Sequence, residues 1–171
     1  MSVDTPRRIV LLRHAKADWP QVSDHERPLA ERGRKDAPVA GRRLADSGIE
    51  FELAVCSTAA RTRETWKLAA PQLPHRPKTV YEERVYDASP GELIAVLNEV
   101  PDDVSNVLLI GHNPGVRHLV DVLADASEGD ALERMHRGFP TSAFAVLSYA
   151  GSWKGLEPGT ATLLDYWAPH E

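Results

Sequence analysis

The segment RIVLLRH, residues 8–14, decides the fold. Its four consecutive apolar residues, Ile9 to Leu12, show no polar alternation, which reads as a strand covered on both faces, as in a parallel sheet flanked by helices. Runs of the same kind follow at LAVCS (53–57), 79–82, NVLLIGH (106–112), AFAVLSY (143–149) and 160–167.

Helical patterns fill the intervals. One covers 34–47, with Gly48 as its stop and Pro38 expected to limit where its first turn begins. A second covers 58–70. The third, 89–100, has the clearest signals: Ser89 as N-cap, Pro90 at the first helical position and Glu92 completing a capping box. A fourth covers 114–124 with Asn113 as cap, and 127–139 fits neither pattern. Strands alternating with helices predict an α/β three-layer sandwich, a mainly parallel central sheet with helices on both faces. In such sheets ligands bind beyond the carboxyl ends of the strands.

The chain has 171 residues, 42% hydrophobic and 26% charged, the balance of an ordinary globular protein of one domain, 1–171, with no repeat or linker. The net charge of −5 argues against nucleic acid or an anionic membrane as partner. That total hides an asymmetry: residues 1–67 carry 13 Lys+Arg against 10 Asp+Glu, and 68–171 carry 7 against 15. The one cysteine, Cys56, excludes an intrachain disulfide and suits a reducing compartment, and the early apolar run is too short for a signal peptide or a membrane span. A cytoplasmic protein is expected, and a monomer is favoured.

Arg13 and His14 end the first strand, His112 ends the fourth, and Arg61 lies early in the helix after the second. Any one of these has an ordinary structural reading, as a hydrogen-bonding histidine or a solvated arginine. Together, on a parallel sheet, they converge at one edge. Arginine's planar fork donates paired charge-assisted bonds to phosphate, and histidine serves there as nucleophile when neutral or as donor when protonated. Two imidazoles and two guanidiniums at one edge point to phosphoryl transfer through nitrogen.

These segments resemble the histidine phosphatase superfamily. The likeness lies in Leu11-Leu12-Arg13-His14-Ala15-Lys16, in the block around Arg61, and in Gly111-His112; Arg27-Pro28-Leu29-Ala30-Glu31-Arg32-Gly33 is similar to a further block. Pro140-Thr141-Ser142-Ala143 resembles the late block of the SixA-type phosphohistidine phosphatases. The resemblance implies that His14 is the nucleophile and that Arg13, Arg61 and His112 hold the phosphoryl oxygens, with Lys16 as a further substrate contact. A cationic ring around His14 should keep its imidazole neutral, and the chemistry needs neither metal nor other cofactor. Glu83 is the candidate general acid by likeness to the mutase branch, with Glu82 as the adjacent alternative and Asp18 and Asp87 as further candidates. Ala15 stands where the family usually has Gly, and Ala30 where it usually has Thr.

The expected substrate is therefore phosphohistidine on a protein. The alternatives are a small phosphomonoester or, from another class, a phospho-ligand binding module without turnover. Cys56 invites comparison with cysteine-dependent phosphatases, but four residues separate it from Arg61 and six from Arg63, where that loop needs five. The seven histidines show no metal-binding spacing. Trp19 joins Lys16 as a candidate for the site entrance.

Overall fold

β1 (Arg7–Arg13) lies inside a seven-stranded sheet, between β4 (Asn106–Gly111), which runs parallel to it, and β6 (Phe144–Tyr149), which runs antiparallel. The computed structural model describes residues 5–170. The other strands are β2 (Leu53–Ser57), β3 (Lys78–Glu82), β5 (Ala124–Ser127) and β7 (Ala161–Trp167), in the order β3-β2-β4-β1-β6-β7-β5. Four of the neighbouring pairs are parallel, and the two that involve β6 are antiparallel.

Strand alternation sorts β1 between the two layers. Ile9 and Leu11 join the core formed with α3 (Pro90–Asn98), α4 (Gly115–Leu123) and α5 (Ala131–Arg137). Val10 and Leu12 join the opposite core with α1 (Glu31–Asp46) and α2 (Ala60–Ala69). All four are fully buried, each contributing roughly 1.5–3 kcal/mol by its removal from water. This is the predicted three-layer sandwich, and the unbroken apolar run is its cause. No helix among the described residues is long and apolar enough to cross a membrane.

The α3 capping box forms as expected: Ser89 Oγ accepts from Glu92 N and Glu92 Oε1 accepts from Ser89 N. Four details depart from the sequence reading, the first being that α4 is capped by Pro114 rather than Asn113. α1 begins at Glu31 rather than residue 34, so Pro38 lies inside the helix and not in its first turn. Its ring is tolerated on a half-buried face, where water can reach the carbonyl that loses a partner. The early start depends on Gly33, because a Cβ there would lie 2.1 Å from Lys16 O; its poor helix propensity hides a close crossing of backbones. β5 was not expected: Ala-Asp-Ala-Ser is a short, largely exposed edge strand without an apolar run. The ambiguous stretch 127–139 supplies α5, whose buried residues are Ala131 and Met135, only two anchors.

Candidate active site

His14 follows directly on β1. Its N–H donates to Gly111 O on β4 (3.1 Å) and its C=O accepts from Ser142 N (3.0 Å), so β4 on one side and the turn before β6 on the other fix its backbone. The next N–H, of Ala15, donates to Thr65 Oγ1 on α2 (2.9 Å), and that hydroxyl donates to Arg61 O (2.6 Å). Thr65 thus couples the turn after the nucleophile candidate to the helix that carries Arg61.

Ala15 O sits 2.7 Å from His14 Nδ1. A carbonyl only accepts, so Nδ1 carries the proton and the Nε2 lone pair is left free. Burial, first, and then His112, Arg13 and Arg61 push the His14 imidazole down to about 3, so the ring is neutral near pH 7. The expected cationic ring contributes to this, but burial is the larger cause.

The His112 ring lies 5.3 Å from that of His14, centroid to centroid. Its Nε2 meets Ser57 Oγ at 2.7 Å, and Ser57 Oγ also accepts from Ala59 N. With the Ser57 hydroxyl hydrogen on Nε2, His112 carries its own proton on Nδ1 as a donor. Burial and Arg61 lower this imidazole to about 4. His112 Nδ1, Arg13 Nε and Ser142 Oγ are buried atoms with no hydrogen-bond partner among the described residues. All three belong to residues around His14, and a tetrahedral oxyanion is the group that supplies several acceptors at once.

Arg13 is half-buried and donates through Nη1 to Phe139 O (3.0 Å); burial and then Arg61 lower its basicity. Arg61 is buried, with Nη1 on Asp24 O (2.7 Å) and Nη2 on Asp24 Oδ2 (3.1 Å). Asp24 also accepts from Tyr86 OH (2.5 Å) and Arg27 Nη1 (3.1 Å). The Tyr86 ring stands edge-on to both His112 and His25, at 5.5 and 4.9 Å. The Tyr86 hydroxyl, followed by Arg27 and Arg61, holds the Asp24 carboxyl well below the usual carboxylate range.

The structure therefore gathers Arg13, His14, Arg61 and His112, and adds Ser57, Thr65, Asp24 and Tyr86, which the sequence reading did not assign roles. Asp24 gave no signal because its partner Arg61 is 37 residues away and no local pattern links them. Glu83 is exposed, on a one-turn helix after β3; from its segment it is Tyr86 whose ring meets His112. Glu82 caps that turn and pairs with Arg84, which also holds Glu99. Lys16, Asp18 and Asp87 are exposed. Trp19 is exposed too, with the Arg27 guanidinium stacked 3.2 Å from its ring centroid.

Two family departures acquire structural meanings. The Ala15 methyl is buried against Leu29 and Ala37, so it fills a small satellite core. Ala30 is the N-cap of α1 and offers no side-chain cap, so the missing hydroxyl is a missing helix cap. Cys56 is fully buried and burial pushes its thiol up to about 12, the environment of an inert thiol.

Comparison with known proteins places this chain in a wider set. Residues 9–108 match the histidine phosphatase superfamily (branch 1). An uncharacterised protein of Mycobacterium tuberculosis is 42% identical over 161 residues, covering 92% of this chain and 99% of that protein. Among solved structures, the candidate phosphohistidine phosphatase SixA of Nakamurella multipartitia superposes with a TM-score of 0.86 at 33% identity, covering 97% of this chain and 98% of that one. The corresponding protein of Agrobacterium tumefaciens gives 0.77 at 30% identity, covering 96% and 99%.

Proposed function

The chain belongs to the histidine phosphatase superfamily (branch 1) and is a phosphatase, and from that premise we propose that it removes phosphoryl groups from phosphohistidine on a protein. The observation that carries this reading is His14 itself: neutral, with Nδ1–H donated to Ala15 O and Nε2 free, beside two guanidiniums and a second imidazole.

In the first step the Nε2 lone pair attacks phosphorus in line, and the bond from phosphorus to the substrate's ring nitrogen breaks. The electron pair leaves with that imidazole. A substrate ring already protonated on its other nitrogen departs neutral, so it asks less of an acid on the protein than an alkoxide does. In the second step water attacks the phosphoryl group on His14, giving inorganic phosphate and restoring the free imidazole. Arg13, Arg61 and the Nδ1–H of His112 are the donors that meet the charge spread over the phosphoryl oxygens in a loose transition state.

The nature of the nearby acid supports a phosphoramidate over an ester. Asp24, the carboxylate that reaches Arg61, is held ionised by its three donors and is a poor proton source. Glu83, exposed on the turn that leads to Tyr86, keeps the proposed role of general acid. The proposed partner is a phosphorylated protein met by a monomer in the cytoplasm, a reducing setting that suits the single buried thiol.

The test compares turnover of a phosphohistidine-bearing carrier protein with that of a generic aryl phosphate. A higher kcat/KM on the carrier is expected. Faster hydrolysis of the aryl ester would replace this reading with a small-molecule phosphatase, and binding without phosphate release would replace it with a binding module.

A further inference from the structure

Arg61 does not stand free in the site. Two of its nitrogens end on one residue, Asp24, through both the main-chain carbonyl and the carboxylate, although 37 residues separate the two in sequence. The Arg61 side chain is 8% exposed whereas that of Asp24 is 51% exposed, so the carboxylate reaches inward from a surface loop to take hold of a buried cation. That loop is itself secured. Arg27 donates Nη1 to Asp24 Oδ1 and Nε to Asp18 O, and its guanidinium stacks on Trp19. His25 Nε2 lies 2.9 Å from Thr58 Oγ1, just before α2. Tyr86 donates its hydroxyl to the same oxygen of Asp24 that Arg61 uses, while its ring edge rests on His112.

A long side chain beside a reacting phosphoryl group is useful only if its direction is fixed beforehand, because ordering it during the reaction costs rate. An arginine has five N–H donors in a rigid fork, so clamping two of them on one side orients the others. Within this cluster Asp24 is the common acceptor of Arg61, Arg27 and Tyr86.

We propose that Asp24 is a positioning residue: its carboxylate and main-chain carbonyl aim the Arg61 guanidinium at the phosphoryl group on His14, and through Tyr86 it also sets the wall behind His112. The assignment rests on the proposed role of Arg61. It extends that role to a loop residue that makes no contact with the reacting atoms.

The test uses the full-length protein and its Asp24→Ala, Asp24→Asn and Arg61→Ala variants, with the double variant Asp24→Ala/Arg61→Ala. Turnover is read on an aryl phosphate, binding on orthovanadate, and folding by the thermal midpoint. Asp24→Ala is expected to lower kcat about 10-fold or more while KM stays unchanged, as for an interaction that matters in the transition state. Asp24→Asn, which keeps the shape but not the charge, should fall between Asp24→Ala and wild type at an unchanged midpoint. In the Arg61→Ala background, loss of Asp24 should cost clearly less than it does alone, leaving only the part that acts through Tyr86.

Unchanged or raised kcat in Asp24→Asn, with tighter vanadate binding, would overturn the proposal and make Asp24 a competitor of the phosphoryl group. Full additivity of the two alanine substitutions would overturn it as well. Vanadate separates the role of Arg61 from that of Asp24. If Arg61→Ala binds it as wild type does, the role of Arg61 itself fails; if Arg61→Ala loses binding and the Asp24 variants match wild type in both binding and turnover, only the positioning role fails.

Discussion

The roles proposed for His14 and His112 call for neutral rings, and their surroundings set that state. Burial lowers them to about 3 and about 4, with the nearby arginines adding to the effect. An NMR titration of the imidazole resonances is expected to find both rings uncharged from about pH 8 down to about pH 5, given an ordinary histidine value of about 6.5. A midpoint near 6.5 for either ring would contradict the account. The sign for stability follows. Because the unfolded rings bind protons more tightly than the folded ones, stability is lost as pH falls below about 6.5 toward the folded values, by up to about 1.4 kcal/mol per pH unit per ring. At this scale the sequence displayed the residues whose chemistry is rare at a strand end, Arg13, His14 and His112, together with Arg61. It concealed Asp24 and Tyr86, whose roles come from contacts with residues distant in the chain.

α1 reaches the site through its first turn. Ala30 N donates to Lys16 O (2.9 Å), and Gly33 packs on the same backbone, two residues beyond His14. Opposite effects are expected from two substitutions there. Ala30→Ser supplies the missing N-cap and should stabilise the fold by about 1 kcal/mol without changing turnover. Gly33→Ala improves intrinsic helix propensity by roughly 1 kcal/mol, yet its methyl would meet Lys16 O, so both the thermal midpoint and kcat should fall. Thermal unfolding and steady-state turnover on the two variants check the pair; a Gly33→Ala protein more stable than wild type would refute the close crossing. The same helix explains a limit of sequence reading. Gly33 and Pro38 both look like helix breakers, and only the neighbouring backbone and the half-exposed face reveal why each is accepted. The capping box of α3 was legible because all its parts lie within four residues. β5 was not, since an exposed edge strand needs little apolar content.

Across the whole molecule, the order β3-β2-β4-β1-β6-β7-β5 does the assembling. Parallel neighbours β2, β4 and β1 end on the same side, so Ser57, His112 and His14 meet although they are far apart in sequence. The antiparallel β6 contributes differently: the turn that leads into it brings Ser142 N onto Arg13 O and His14 O. The net charge of −5 therefore says little about the site, where Arg13 and Arg61 set the local potential. The proposed outcome of this arrangement is a covalent phosphoryl group on His14. Rapid quenching of the protein with a radiolabelled phosphohistidine carrier, followed by peptide mapping, tests it most directly. Label that is stable in alkali, lost in acid and confined to the His14 peptide, and absent from His14→Ala, is the expected result. Turnover by His14→Ala, or label on any other residue, would contradict it.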